Sequence, residues 1–134
     1  MTKTTKSTKG QNILQALLDA EVKPQAQVYM KRFDVHFVIE ALDGKMINRI
    51  REQASYPVKG GKELDEEKFG SLMIEKACIE PKWSDPKLIE AFGPTAVDVI
   101  GQRLLAGEIA KLTTEILNLS GFGDEEEQIN EIKN

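Results

Sequence analysis

Apolar and polar positions follow two different rhythms along the chain, and the changes of rhythm divide it into elements. Residues 12–22 place Ile13, Leu14, Leu17 and Leu18 at helical spacing ahead of Pro24, which predicts a short helix. Between Gln27 and Leu42 the period drops to two, with Phe33, Val35, Phe37 and Ile39 on alternate positions among β-branched and aromatic neighbours. One hairpin, or two short strands, is expected there. Its turn falls near Lys31 to Asp34 and lacks the Asn-Gly or Asp-Gly pair of a tight hairpin.

After Asp43-Gly44 the helical period returns, with Met46, Ile47, Ile50 and Ala54 on one face and Pro57 as the expected stop. Asp65 is the expected N-cap of the next helix. Glu66 and Glu67 sit in its favourable first turn, and Phe69, Leu72, Met73 and Ala77 line its inner face. Asp85-Pro86 starts a short helix that Gly93-Pro94 stops, and Thr95 to Leu105 reads as another. Leu105, Ile109, Leu112, Ile116 and Leu119 recur in steps of four and three, and Gly121 ends this last helix. The expected fold class is therefore α+β, a small antiparallel β unit near the N-terminus followed by a bundle of four to five helices. Residues 1–11, almost all Thr, Lys, Ser and Gly, read as a flexible leader, 12–122 as the single domain, and 123–134 as an acidic C-terminal tail.

Composition narrows the function classes. Eighteen Lys and Arg against 22 Asp and Glu give a formal net charge of -4, which disfavours a polyanionic partner, so no nucleic acid is expected. The single cysteine, Cys78, excludes a disulfide within the chain and a cysteine metal cluster. No apolar run approaches the roughly 18 residues that span a bilayer, and no apolar signal segment follows the basic N-terminus, so no membrane is expected and a cytoplasmic location is.

The candidate chemistry is thin. Lys59-Gly60-Gly61-Lys62 invites a phosphate-cradle reading, but Lys62 precedes Glu63 rather than a hydroxyl and the preceding element reads as helical. A Gly-Gly turn between two helices explains it better. His36 falls on the opposite strand face from Val35 and Phe37, where it faces solvent, and Cys78 closes an apolar helical face as a small hydrophobe. Carboxylates come in adjacent runs, not as a pair facing each other across a cleft, and Asp124 to Glu127 lack calcium-loop spacing. Trp83 either packs over a helix junction, the favoured reading, or lies at an interface. No catalytic residue, cofactor or metal is expected. In the tail, Asp124, Glu125, Glu126 and Glu127 precede Ile129 and Ile132, which are three residues apart and would share one edge of a short helix. That segment is the candidate partner-binding site; the other reading of it is a disordered solubilising tail.

An ordered set of landmarks runs through "YMKRFDVHFVIEALDGKMINRIREQASYPVKGGKELDEEKFGSLMIEKACIEPKWSDPKLIEAFG", "LLAGEIAKLTTEILNLSGFG" and "EIKN". These are the KR-F strand, the DGK helix start, the YPVK-GGK-LDE linker, the C-x-E-P-x-W turn, the GEI helix and the L-x-L-S-G-F-G end. On these landmarks the chain, from about residue 12 to the C-terminus, resembles the XkdN-like tail assembly chaperones of tailed phages and of defective prophages of Gram-positive bacteria. The resemblance implies a noncatalytic protein of the host bacterial cytoplasm that binds the tape measure protein, keeps it soluble during tail morphogenesis and is absent from the finished virion. Further partners it implies are the tail tube protein and a longer, frameshifted form of the same chain, of which this would be the short form. Self-association through an edge of the small β unit is a separate expectation from the residues. The competing class is a structural tail component, a tube or connector subunit retained in the virion.

Overall fold

The computed structural model describes residues 9–20 and 23–122. Helix α1 (Lys9–Asp19) is followed by strands β1 (Gln25–Met30) and β2 (Val35–Glu40), helix α2 (Gly44–Gln53), strands β3 (Ser55–Val58) and β4 (Gly61–Leu64), and helix α3 (Glu66–Ala77). Strand β5 (Cys78–Glu80) and helices α4 (Pro86–Phe92), α5 (Ala96–Arg103) and α6 (Ala106–Leu119) complete the chain. The α+β expectation holds, with five helices after the first hairpin.

The first hairpin forms where the period of two predicts it. Val28 opposes Phe37 and Ala26 opposes Ile39, so the buried side chains share one face, while Tyr29 and His36 oppose each other on the outer face with ring centroids 5.1 Å apart. His36 is exposed, as its strand face implies. Val35 departs from the pattern: it is the first residue after the turn and remains exposed, so the inward alternation begins only at Phe37. The turn closes without Asn-Gly because Asp34 takes φ 54°. Its N–H donates to Met30 O at 2.8 Å and its carboxylate accepts from Tyr29 Oη at 2.6 Å; aspartate tolerates the left-handed region better than most residues.

Two elements depart from the sequence expectation. Residues 55–64 form a β3–β4 hairpin, not a helix end followed by a Gly-Gly turn; α2 stops at Gln53, before Pro57. Lys59-Gly60 makes the turn, with Gly60 at φ 89°, the position where a type II turn requires glycine. The short β5 adds a third strand to the main sheet, in the order β1-β2-β5, so Cys78 caps α3 and opens a strand instead of closing a helical face.

Helix starts obey local capping chemistry. Asp43, Asp65 and Asp85 each accept a backbone N–H of the first turn, and Thr95 forms a reciprocal box with Asp98. One core fills the space between sheet and helices. It contains Met30 and Ile39 from the sheet, Ile47 and Ile50 from α2, Met73 and Ile74 from α3, Ile100 from α5, and Leu112 and Ile116 from α6. Leu105 is the N-cap of α6 and is exposed, so that helix's apolar stripe begins at Ile109.

Helix α6 lies along the sheet and is tied to it at both ends. Lys111 Nζ donates to Tyr29 O at 2.7 Å, and at the other end Leu42 N–H donates to Ser120 Oγ at 2.9 Å. Arg32 in the hairpin turn donates from Nε and Nη2 to the two oxygens of Glu108, each at 2.8 Å, and from Nη2 to Arg103 O at 2.6 Å. This paired hydrogen bonding with the guanidinium, together with the Leu105 N–H, holds the Glu108 carboxyl down from its ordinary 4.5 to about 2. A carboxyl whose folded pKa is lowered stabilises the fold above its unfolded pKa, and that contribution is lost as the pH falls through the folded value. The native chain should therefore lose thermal stability between about pH 5 and pH 2 more steeply than a Glu108→Gln variant. Melting curves across that range check this; equal slopes would remove Glu108 from the account.

Candidate partner-binding surface

Helices α3 and α6 approach closely because of one residue. A Cβ built at Gly70 would stand 2.8 Å from Ile109 Cγ2 and 3.0 Å from Thr113 Oγ1, distances that an unaltered pair of helices does not allow. Glycine leaves room at this point for the Ile109 and Thr113 side chains. Beside this contact a groove of about 560 Å³ opens between the two helices, lined by Phe69 and Gly70 of α3 and by Ile109, Ala110, Thr113 and Leu117 of α6. The α6 residues lie at steps of one, three and four, so they form one continuous face of that helix. Their small side chains leave room between the helices, while Phe69, Ile109 and Leu117 make the groove apolar. Glu66 and Glu67 form an acidic rim.

A second apolar surface belongs to α1. Ile13, Leu14, Leu17 and Leu18 are 59%, 58%, 73% and 69% exposed, and the helix makes no extended contact with any other element. The spacing of these four residues predicted the helix correctly. A buried face would ordinarily be expected of such a pattern, and here it stands in solvent.

The candidate residues chosen from sequence, Asp124, Glu125, Glu126, Glu127, Ile129 and Ile132, lie outside the described residues. They follow Phe122, which is exposed at the end of α6. The groove was not anticipated. Its sequence signals are Gly70 within a helical pattern and the small residues Ala106, Ala110, Thr113 and Thr114, which periodicity analysis passes over because they carry little hydrophobic weight.

The reactive-looking side chains do not converge. Lys62 stands 3.7 Å from Glu52 on an exposed hairpin, and Tyr56 Oη donates to Glu63 at 2.9 Å across the same two strands. Burial pushes the Cys78 thiol up to about 11, against a smaller lowering by the Trp83 indole, so it is protonated at neutral pH and a poor nucleophile. Trp83 is buried, with its ring edge-on to Phe37 at 5.8 Å, which settles its role as packing. Among the described residues no group of three or more His, Cys, Asp or Glu is placed to hold a metal ion, and no helix is long and apolar enough to cross a membrane.

The sequence profile of the family described as phage XkdN-like tail assembly chaperone protein matches residues 14–133, nearly the whole chain. The chain belongs to the XkdN-like phage tail assembly chaperones. Membership places it in tail assembly, with other tail proteins as the class of partner. The crystal structure of the protein YqbN superposes with a TM-score of 0.60 at 21% identity, covering 77% of this chain and 89% of that one. At that identity the likeness establishes a shared fold. No curated protein sequence matches significantly.

Proposed function

We propose that this chaperone is noncatalytic, acts in the host bacterial cytoplasm, binds the tape measure protein and keeps it soluble until the tail tube forms around it. The observation that carries this reading is the apolar α3–α6 groove with its acidic rim of Glu66 and Glu67. A long helical protein exposes apolar stripes that aggregate when unpaired, and a groove between two helices accepts the apolar ridge of a third. Net charge of -4 keeps the complex soluble.

The acidic tail is the second contact in this proposal. Asp124 to Glu127 would pair with basic residues flanking the bound helix, and Ile129 and Ile132 would add apolar contact to it. The chaperone would leave before the virion is complete, unlike a tube or connector subunit. Deleting residues 123–134 is expected to weaken capture of the tape measure protein at least tenfold in a pull-down titration; unchanged capture would remove the tail from the site.

A further inference from the structure

Two unpartnered apolar surfaces in one chain invite comparison, and they are complementary. The α1 face is a convex ridge of Ile13, Leu14, Leu17 and Leu18, and the α3–α6 groove is concave and apolar. We propose that α1 of one copy seats in the α3–α6 groove of a second copy, reciprocally, to form a closed pair. This goes beyond tape measure binding and does not depend on it.

Charge complementarity points to this occupant. The stretch leading into the α1 ridge carries Lys3, Lys6 and Lys9 and no carboxylate, whereas the groove is rimmed by Glu66 and Glu67. Position points the same way. Pro24, where the chain enters the body after α1, lines a small cavity with Leu119, Ser120 and Gly121, two to four residues beyond the Leu117 end of the groove. The chain after α1 therefore enters the body near that end of the groove. No α1 residue lines the chain's own groove, and all four ridge side chains are exposed. A twofold axis beside this end places each α1 against the other chain, and exchange of identical elements closes the pair without leaving a free surface.

The pairing also has a consequence for partner capture. The seated α1 occupies the surface proposed for a tape measure helix, so each chain would cover its neighbour's apolar groove until a competing helix displaces it. The chaperone would then shield itself before it shields a client.

Light scattering on the purified full chain tests the pairing without any tape measure protein, so its failure leaves the proposed function standing. The expected result is a mass of two chains that is constant with concentration. The double variant Leu14→Asp with Leu17→Asp should run as one chain, and so should Ala110→Lys and Thr114→Lys, which change exposed groove residues and leave the core intact. Native-like circular dichroism and a cooperative melt confirm that these variants are folded, with the melting temperature lowered by loss of the pair. A single-chain mass for the unmodified protein, a mass that grows with concentration, or a pair that survives either set of substitutions would overturn the proposal.

Discussion

Replacing Trp83 with alanine is expected to cost about 3–5 kcal/mol of folding stability, the usual cost of removing a large buried aromatic. Trp83 is 6% exposed and packs edge-on against Phe37 of β2, so it joins the segment after β5 to the inner face of the sheet. Its loss leaves a cavity between them that neither segment fills without moving. For a domain of this size the melting temperature should fall by roughly 10 °C or more. Phenylalanine at the same position should cost much less. Trp83 Nε1 is buried and has no nitrogen or oxygen acceptor, only a weak one in the Cys78 sulfur, so Trp83→Phe gives up little hydrogen bonding along with part of the ring. Urea denaturation followed by circular dichroism measures both variants; a loss within about 1 kcal/mol for Trp83→Ala would show that the indole is not a structural anchor.

Gly70→Leu is the second large effect. Its Cβ alone would collide with the Ile109 and Thr113 side chains, and the remaining atoms would occupy the groove that Gly70 lines. Overpacking of this kind costs about 1–3 kcal/mol, partly offset by the roughly 1 kcal/mol that leaving glycine gains in a helix interior. Gly70→Ala should stay near neutral because the smaller collision and the helix gain nearly cancel. The leucine variant should also widen the α3–α6 spacing and lose partner capture, whereas the alanine variant retains it. A stable Gly70→Leu protein with unchanged capture would mean that the close approach of α3 and α6 does not define the groove.

The fold was legible where local chemistry decides it. Asp43, Asp65, Asp85-Pro86 and Thr95 mark helix starts, Gly121 marks the end of α6, and the alternation through Phe37 and Ile39 marks β2. What escaped was held by distant partners. Strand β5 is three residues long and exists because it pairs with Val38 and Ile39 of β2, about 40 residues earlier in the chain. The β3–β4 hairpin is exposed along nearly all its length, so it has no buried face to imprint an alternating pattern on Ser55–Leu64. The groove is a property of two helices and of the small residues between them. Single-helix periodicity located α3 and α6, while placing Leu105 and Cys78 on their inner faces in error, and had no means of registering the space that Gly70, Ala110 and Thr113 leave.

The proposed client is a long, helical protein that is poorly soluble alone. The most direct measurement is coexpression of this chain with the tape measure protein encoded in the same tail gene cluster, scoring the soluble fraction of the tape measure protein and its copurification. The account predicts that the tape measure protein stays soluble only when this chain is present, and that the two purify together. A tape measure protein that remains insoluble, or is soluble without binding the chain, would contradict it.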